Sequence, residues 1–227
     1  MPIILAVETS TELASAALLR GDAVIAREAA GVQTHSQTLL PMVQALLAEA
    51  GLTLAQCDAI AFGAGPGSFT GVRTACGIAQ GLAFGLDLPV VPVSTLMAMA
   101  EACRERHGAA DVLTILDARM EEVYWAQYRF AGAWNLVSAP ALSAPAGLRP
   151  EGTPIVCGNG LAAYPDAFAA LGLQTQPGIM PHAAQVARLG AVAFTAGQAI
   201  PARDAQPVYL RNKVAFTTAE RLAKAAA

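Results

Sequence analysis

The residues with the most distinctive types and spacing are Gly63-Ala64-Gly65-Pro66-Gly67-Ser68-Phe69-Thr70-Gly71, set between a predicted strand and a predicted helix. Glycines there permit positive φ and close backbone approach, so successive N–H groups at the helix N-terminus could cradle an anion. The same residues also read as a tight crossover turn with Ser68 or Thr70 as N-cap. No Lys follows as in a Walker loop, and spacing alone favours the turn. Two acids, Glu8 and Asp117, each close an apolar run and each precede a short polar segment. The three histidines, His35, His107 and His182, are too far apart in the chain for two to share a helical face, so no local metal motif exists. His35 precedes a helix and suits a capping or interface role, and His107 near a helix C-terminus suits the helix dipole. The four cysteines, Cys57, Cys76, Cys103 and Cys157, form no C-x-x-C pair and lie in apolar surroundings, as buried free thiols do.

The elements that must position these residues follow from the apolar pattern. Ile3–Val7 reads as a buried strand, and 15–19 and 23–26 as two strands joined at Arg20-Gly21-Asp22. Leu39, Leu40, Val43, Leu46, Leu47 and Ala50 recur with helical spacing, which predicts a helix from an N-cap at Ser36 to Glu49, with Gly51 as C-cap and Pro41 bending its first turns. Strands at 58–63 and 90–93 then alternate with helices at 72–85 and 96–106. The second half restarts the pattern with strands at 112–116, 123–130 and 134–137. It then thins through a Pro-, Ala- and Gly-rich stretch at 139–154, a brief strand at 155–157, and helices at 162–170 and 183–197. A repeated three-strand meander, closed by an acid at the end of each first strand, predicts two related lobes facing across a cleft.

Composition bounds the reading. With 227 residues, 55% hydrophobic and 14% charged, the chain can bury one large or two small cores. A formal net charge of −3 gives no general attraction to a phosphate backbone, so contact with nucleic acid would need a partner. The mean hydropathy of +0.45 is mostly alanine, since Pro, Asp, Glu or Gln interrupts each apolar run before the ~20 residues of a membrane span. The opening Met1-Pro2-Ile3-Ile4-Leu5-Ala6-Val7-Glu8 has no basic n-region and meets a carboxylate early, which predicts no signal peptide and a cytoplasmic protein.

The fold class expected is α/β, a duplicated ribonuclease H-like unit of the actin, sugar-kinase and Hsp70 (ASKHA) superfamily, with two lobes and the second reduced. A Rossmann-type sheet fits less well, since no G-x-G-x-x-G opens a helix after the first strand. The expected division is 1–108 for the first lobe and 109–211 for the second, whose last helix packs back on the first, with a frayed tail at 212–227. Gly65-Pro66-Gly67-Ser68-Phe69-Thr70-Gly71-Val72-Arg73, Val7-Glu8-Thr9-Ser10, the segment from His35 to Leu40-Pro41, Asp117-Ala118-Arg119-Met120-Glu121-Glu122-Val123-Tyr124 and Pro207-Val208-Tyr209-Leu210-Arg211 occur in this order, and together they resemble the TsaB (YeaZ) family.

The resemblance implies a heterodimer with TsaD, the transferase that places threonylcarbamoyl on an adenosine of tRNA, and a further partner in the ATPase TsaE. It also implies that tRNA is met only through the complex, and that a homodimer can use the same helices. TsaD is similar to TsaB and carries its metal-binding His pair where this chain has Ser94, Thr95 and Met99, so neither metal nor another cofactor is expected. Glu8-Thr9-Ser10 and Asp117 stand where the superfamily has phosphate loops, and Gly158-Asn159 is the one further glycine motif of the second lobe. Both loops lack the Asp-x-Gly pattern, which implies a remnant nucleotide cleft. Asp117, Arg119, Glu121 and Glu122 read equally as a partner patch and as a salt-bridged connection.

One helix feature does not depend on the resemblance. Gly77, Gly81 and Gly85 recur every four residues beside Thr74 and Phe84, and each glycine costs a helix interior ~1 kcal/mol relative to alanine. Val72, Ala75, Ala79, Leu82 and Leu86 form a separate stripe for the sheet, which leaves the glycines for a partner helix, with packing against the lobe's own strands as the other reading. The resemblance also places the pairing on this helix and on the one from His35 to Ala50, which implies an interface of His35, Leu39, Met42, Val43 and Leu46 on the earlier helix and Arg73, Thr74, Gly77, Gly81, Phe84 and Gly85 on the later one. The leading function is a non-catalytic partner subunit. Its rivals are an autonomous nucleotide hydrolase or phosphotransferase using Glu8 and Asp117 and, with less support, a glycoprotease-like metallopeptidase.

Overall fold

Strand β1 (Ile3–Glu8) is buried from Ile4 onward, as an unbroken apolar run requires of a strand covered on both faces. The structure, a computed structural model, describes residues 2–30, 35–169 and 171–211; the tail expected to fray, 212–227, lies outside them. Strand β2 (Leu13–Arg20) pairs antiparallel with β1 and β3 (Ala23–Ala30) antiparallel with β2, and β4 (Ala59–Gly65) and β5 (Pro89–Ser94) add in parallel on the other side of β1. Helices α1 (His35–Ala50) and α2 (Phe69–Phe84) cover one face, where Leu39, Leu46, Ala75 and Ala79 meet Leu5, Val7, Leu18 and Phe62. Helix α3 (Thr95–His107) leads out of this lobe and ends on Gly108, which is left-handed.

The second sheet repeats the plan. Strands β6 (Asp111–Asp117), β7 (Val123–Phe130) and β8 (Trp134–Ser143) form the meander, and β9 (Ile155–Cys157) and β10 (Thr175–Gln176) add in parallel. Its order, β10-β9-β6-β7-β8, matches β5-β4-β1-β2-β3 of the first sheet position for position. The duplication expected from the sequence is therefore present in the pairing, with β9 and β10 much shorter than their counterparts. Packed between α3 and the second sheet are Leu96, Met99 and Cys103 against Val112, Leu116 and Cys157. All four cysteines are buried free thiols, in agreement with the sequence.

Helix α6 (Ala183–Thr195) crosses back to the open face of the first sheet, where Ala183, Val186 and Ala187 fill a core with Ile4, Ala6, Ala59 and Ala61. Strand β11 (Ile200–Pro201) then pairs with β5 at the sheet edge.

Several boundaries differ from the sequence reading. Strand β8 runs on to Ser143 through Pro140, because it is an edge strand and its register shifts opposite 125–127, where a missing N–H costs no ladder bond. The single helix expected at 162–170 is two short ones, α4 (Gly160–Ala163) and α5 (Pro165–Ala169), split where Tyr164 before Pro165 leaves the helical region. Helix α1 starts at His35, so Ser36 is its second residue and not its N-cap. Helix α2 starts at Phe69, three residues before the expected Val72.

Candidate functional site

Between the lobes lies a cleft of about 330 Å³. The first lobe contributes Ser10, Thr11, Glu12 and 66–69, the second contributes 116–120, Tyr124 and Asn159, and residues 208–211 close one side. The two loops of the first lobe are locked together by main-chain contacts. Ser68 N–H donates to the Ser10 carbonyl at 2.7 Å, and Thr9 Oγ1 donates to the Gly71 carbonyl at 2.7 Å. A Cβ on Gly71 would overlap the Thr9 carbonyl oxygen, and one on Gly67 would press on Ser10. Gly67 and Gly71 thus serve close packing of one loop on another. Ser68 is the N-cap of α2, its hydroxyl 3.5 Å from the Gly71 amide, which agrees with the turn reading of this segment.

Of the six candidate nucleotide residues, Ser10, Asp117 and Asn159 reach the cleft, whereas Glu8, Thr9 and Gly158 do not line it. Glu8 is fully buried, and a Cβ on Gly63 would strike its carboxylate. Gly158, at φ +115°, lies against the Ile115 carbonyl and Met99. Asp117 does line the cleft, but its carboxylate is engaged internally. Oδ1 accepts from the Arg119 amide at 2.8 Å and from Tyr164 Oη at 3.0 Å, while Oδ2 lies 3.2 Å from the Arg119 guanidinium. Asn159 Oδ1 accepts from the Asp117 amide at 2.9 Å. The pair of acids that looked alike in sequence is therefore split, one sealed behind the wall and one spent on its own loop.

Burial pushes the Glu8 carboxyl up to about 7 from 4.5, outweighing the hydrogen bonding of Ser10 and Thr9. Oε1 accepts from the Ser10 amide at 2.5 Å and Oε2 has no partner. Because the folded value is raised, the associated stability is present below pH 4.5 and is lost as pH rises through about 7. The displacement corresponds to about 3 kcal/mol. Glu8→Gln, which cannot ionise, is expected to gain roughly that much on wild type between pH 4.5 and 8, whatever its offset at low pH. Urea melts of both proteins across that range check it, and parallel pH profiles would refute the assignment.

The segment bearing Ser94, Thr95 and Met99 has structural duties. Ser94 caps α3 through the Met97 amide, Thr95 Oγ1 donates to the Pro66 carbonyl at 2.5 Å, and Met99 is wholly within the second core. His182, which the sequence left without a role, caps α6: Nδ1 accepts from the Ala184 amide at 3.1 Å and Nε2 lies 3.2 Å from Glu28. His35 Nε2 lies 3.4 Å from the Glu12 carbonyl. Among the described residues, no three His, Cys, Asp or Glu side chains converge as a metal site would need.

The expected interface separates into two groups. His35, Leu39, Met42, Val43 and Leu46 are buried, the four apolar ones in the first lobe's own core, because the apolar stripe of α1 faces its sheet. They can only back a surface, and α1 presents Leu40, Pro41 and Gln44 outward instead. Arg73, Gly77, Gly81, Phe84 and Gly85 are exposed, Phe84 by 78%, and Thr74 is half-buried. A Cβ added at Gly77 or Gly81 meets nothing within 4 Å, so these two glycines do not pack on their own lobe's strands. Sequence reasoning missed Phe69 and Tyr209, both exposed beside this stripe, with ring centroids 6.0 Å apart and the Arg73 guanidinium 3.6 Å from the Phe69 centroid. The i, i+4 spacing of Phe69, Arg73, Gly77 and Gly81 is the signal that could have extended the stripe.

Residues 24–176 match the family described as TsaD, tRNA N6-adenosine threonylcarbamoyltransferase. The tRNA threonylcarbamoyladenosine biosynthesis protein TsaB of Escherichia coli K12 is 40% identical, over 94% of this chain and 96% of its own length. Its namesake in Haemophilus influenzae is 41% identical over 94% and 95%. A Pseudomonas aeruginosa crystal structure described as an uncharacterized protein with similarity to peptidase YEAZ superposes with a TM-score of 0.88 at 39% identity, covering 93% of this chain and all of that one. The actin-like two-lobe fold follows from that likeness together with the repeated sheet order.

Proposed function

This chain belongs to the TsaB (YeaZ) family of tRNA threonylcarbamoyladenosine biosynthesis proteins, and from that premise we propose that it is the non-catalytic partner of a TsaD-type transferase, paired with it as a heterodimer in the cytoplasm. The observation that carries this reading is the exposed α2 stripe, where Gly77 and Gly81 leave room for the backbone of a second helix. Two helix-interior glycines with no internal neighbour to accommodate are a cost that a partner helix recovers through close packing. Without the transferase, a second copy of this chain occupies the same stripe.

The cleft supports the non-catalytic half of the reading. The two acids that end the first strands are Glu8, buried behind the cleft wall, and Asp117, bonded within its own loop, and neither is free to hold a metal-bound phosphate. The transferase then owns the chemistry on the adenosine of tRNAs that read codons beginning with A, an ATPase of the TsaE type joins the pair, and tRNA is held by the assembly. A net charge of −3 accords with a subunit that does not bind tRNA alone.

Incubating tRNA with ATP and threonylcarbamoyl-adenylate, then measuring nucleosides by mass spectrometry, tests the assignment. This chain alone is expected to form no modified adenosine, and adding it to the transferase to raise product over repeated turnover. Product from the lone chain, abolished by Asp117→Ala, would establish the autonomous enzyme instead.

A further inference from the structure

The cleft is crossed by the chain's own C-terminal described segment. After β11, Ala202 and Ala205 are buried in the first core, and both their carbonyls accept from Gln80 Nε2, at 3.1 and 3.2 Å. The Val208 amide donates to the Ala64 carbonyl at the end of β4, at 2.7 Å, and the Tyr209 hydroxyl accepts from Arg73 Nε at 2.7 Å. Leu210 then packs on the second core. Arg211, 12% exposed, reaches into the 118–122 loop of the second lobe. Its Nη2 donates to the Ala118 carbonyl at 3.0 Å, the Arg119 carbonyl at 3.3 Å and the Glu122 carboxylate at 2.7 Å, and Nη1 lies 3.0 Å from Met120 Sδ.

That loop is unusual in its backbone. Arg119, Met120 and Glu121 have φ of 61°, 58° and 62°, three consecutive side-chain-bearing residues in the left-handed region. L-residues avoid this conformation because Cβ crowds the following carbonyl, so a run of three must be held by its surroundings. The turn closes internally through Ala118 N–H to the Glu122 carbonyl and Glu122 N–H to the Arg119 carbonyl, at 3.0 and 3.1 Å. The Ala118 carbonyl, and the Arg119 carbonyl that already accepts from Glu122, both accept from one guanidinium, whose rigid planar fork also sets Nη1 beside Met120 Sδ.

We propose that residues 205–211 form an intramolecular strap, in which Arg211 clamps the left-handed turn at 119–121 and the segment as a whole fixes the opening between the lobes. Val208 is fastened to the first lobe and Arg211 to the second, three residues apart, so an extended strap spans the cleft mouth with little slack. An enzyme of this architecture that closes on a ligand needs its lobes to move, whereas a subunit that presents a fixed surface gains from tying them. The inference stands on intramolecular contacts alone and holds whichever partner occupies α2.

Hydrogen exchange of the full-length chain, followed by mass spectrometry, tests the clamp. In Arg211→Ala, the amides of 118–122 are expected to exchange at least about tenfold faster, with peptides from β2 and α1 unchanged. Arg211→Lys keeps the charge but has a shorter reach and no rigid planar fork, so its exchange in 118–122 is expected between wild type and the alanine variant. Should the alanine variant fail to fold, the lysine variant decides. Exchange in 118–122 equal to wild type in the variants that fold would overturn the clamp. Nitroxides at Asp22→Cys and Ala133→Cys, one on each lobe, are expected to give a single narrow distance in the parent and a broadened one with Arg211→Lys. An unchanged distribution would overturn the fixed opening.

Discussion

Gly71→Ala is expected to cost this protein more than about 3 kcal/mol of stability. The position is buried in the first turn of α2, where alanine would ordinarily be the better helix former. Here the added methyl overlaps the Thr9 carbonyl oxygen, with the carbonyl carbon at 2.9 Å and Ser10 Cα at 3.3 Å behind it. All three are main-chain atoms, so no side-chain rotation relieves the clash. Separating the loops would forfeit the Thr9 Oγ1 to Gly71 bond and the Ser68 to Ser10 bond, both 2.7 Å. At a few degrees per kcal/mol for a chain of this size, the melting temperature should fall by roughly 10 °C or more.

Gly77→Ala, six residues along the same helix, has open space around the new methyl and should instead raise stability by about 0.5–1 kcal/mol. Melts of the two variants in one buffer make the comparison. A Gly71→Ala protein melting within two or three degrees of wild type would mean that the β1 and β4 loops can part freely, and the wall of the cleft would then not be rigid.

That contrast shows what the sequence could and could not disclose. The duplicated order of elements was legible because Ile3–Val7 and 112–116 are short apolar runs of strand length and the apolar positions of α1 keep a helical period, and the sheet orders repeat accordingly. The cost of glycine inside a helix likewise marked Gly77 and Gly81 as needing an explanation, and their surroundings are open. The direction of a stripe was harder. Leu39, Met42, Val43 and Leu46 are the apolar face of an amphipathic helix, and such a face goes first to its own sheet, so their assignment to an interface conflicted with the rule that predicted the helix.

Glu8 and Asp117 look equivalent in sequence because both end a first strand. What separates them is a glycine 55 residues from Glu8 and a tyrosine 47 residues from Asp117, contacts that no local pattern encodes. The strap is the extreme case. Pro207–Arg211 has no periodicity, and its bonds span 136 residues to Arg73 and 93 to Ala118.

Gly81→Leu should separate binding from folding more cleanly than any other change on α2. The glycine is exposed, nothing lies within 4 Å of an added Cβ, and leucine restores the helix propensity that glycine lacks, about 0.8 kcal/mol. The isolated variant should therefore melt at or slightly above the wild-type temperature. A helix seated on the stripe would meet the isobutyl group where it now has backbone to approach, and overpacking of that kind costs a close interface typically 1–3 kcal/mol or more. Affinity for the TsaD-type transferase is thus expected to fall about 100-fold, with Gly81→Ala intermediate. Size-exclusion chromatography of each variant with the transferase, beside a melt of the variant alone, reads both quantities. Full complex formation by Gly81→Leu would remove the stripe from the interface and with it the main support for the pairing proposed here. Lost binding accompanied by a collapsed melt would show that Gly81 packs within its own lobe, and the open space beside it would then belong to a different conformation of α2.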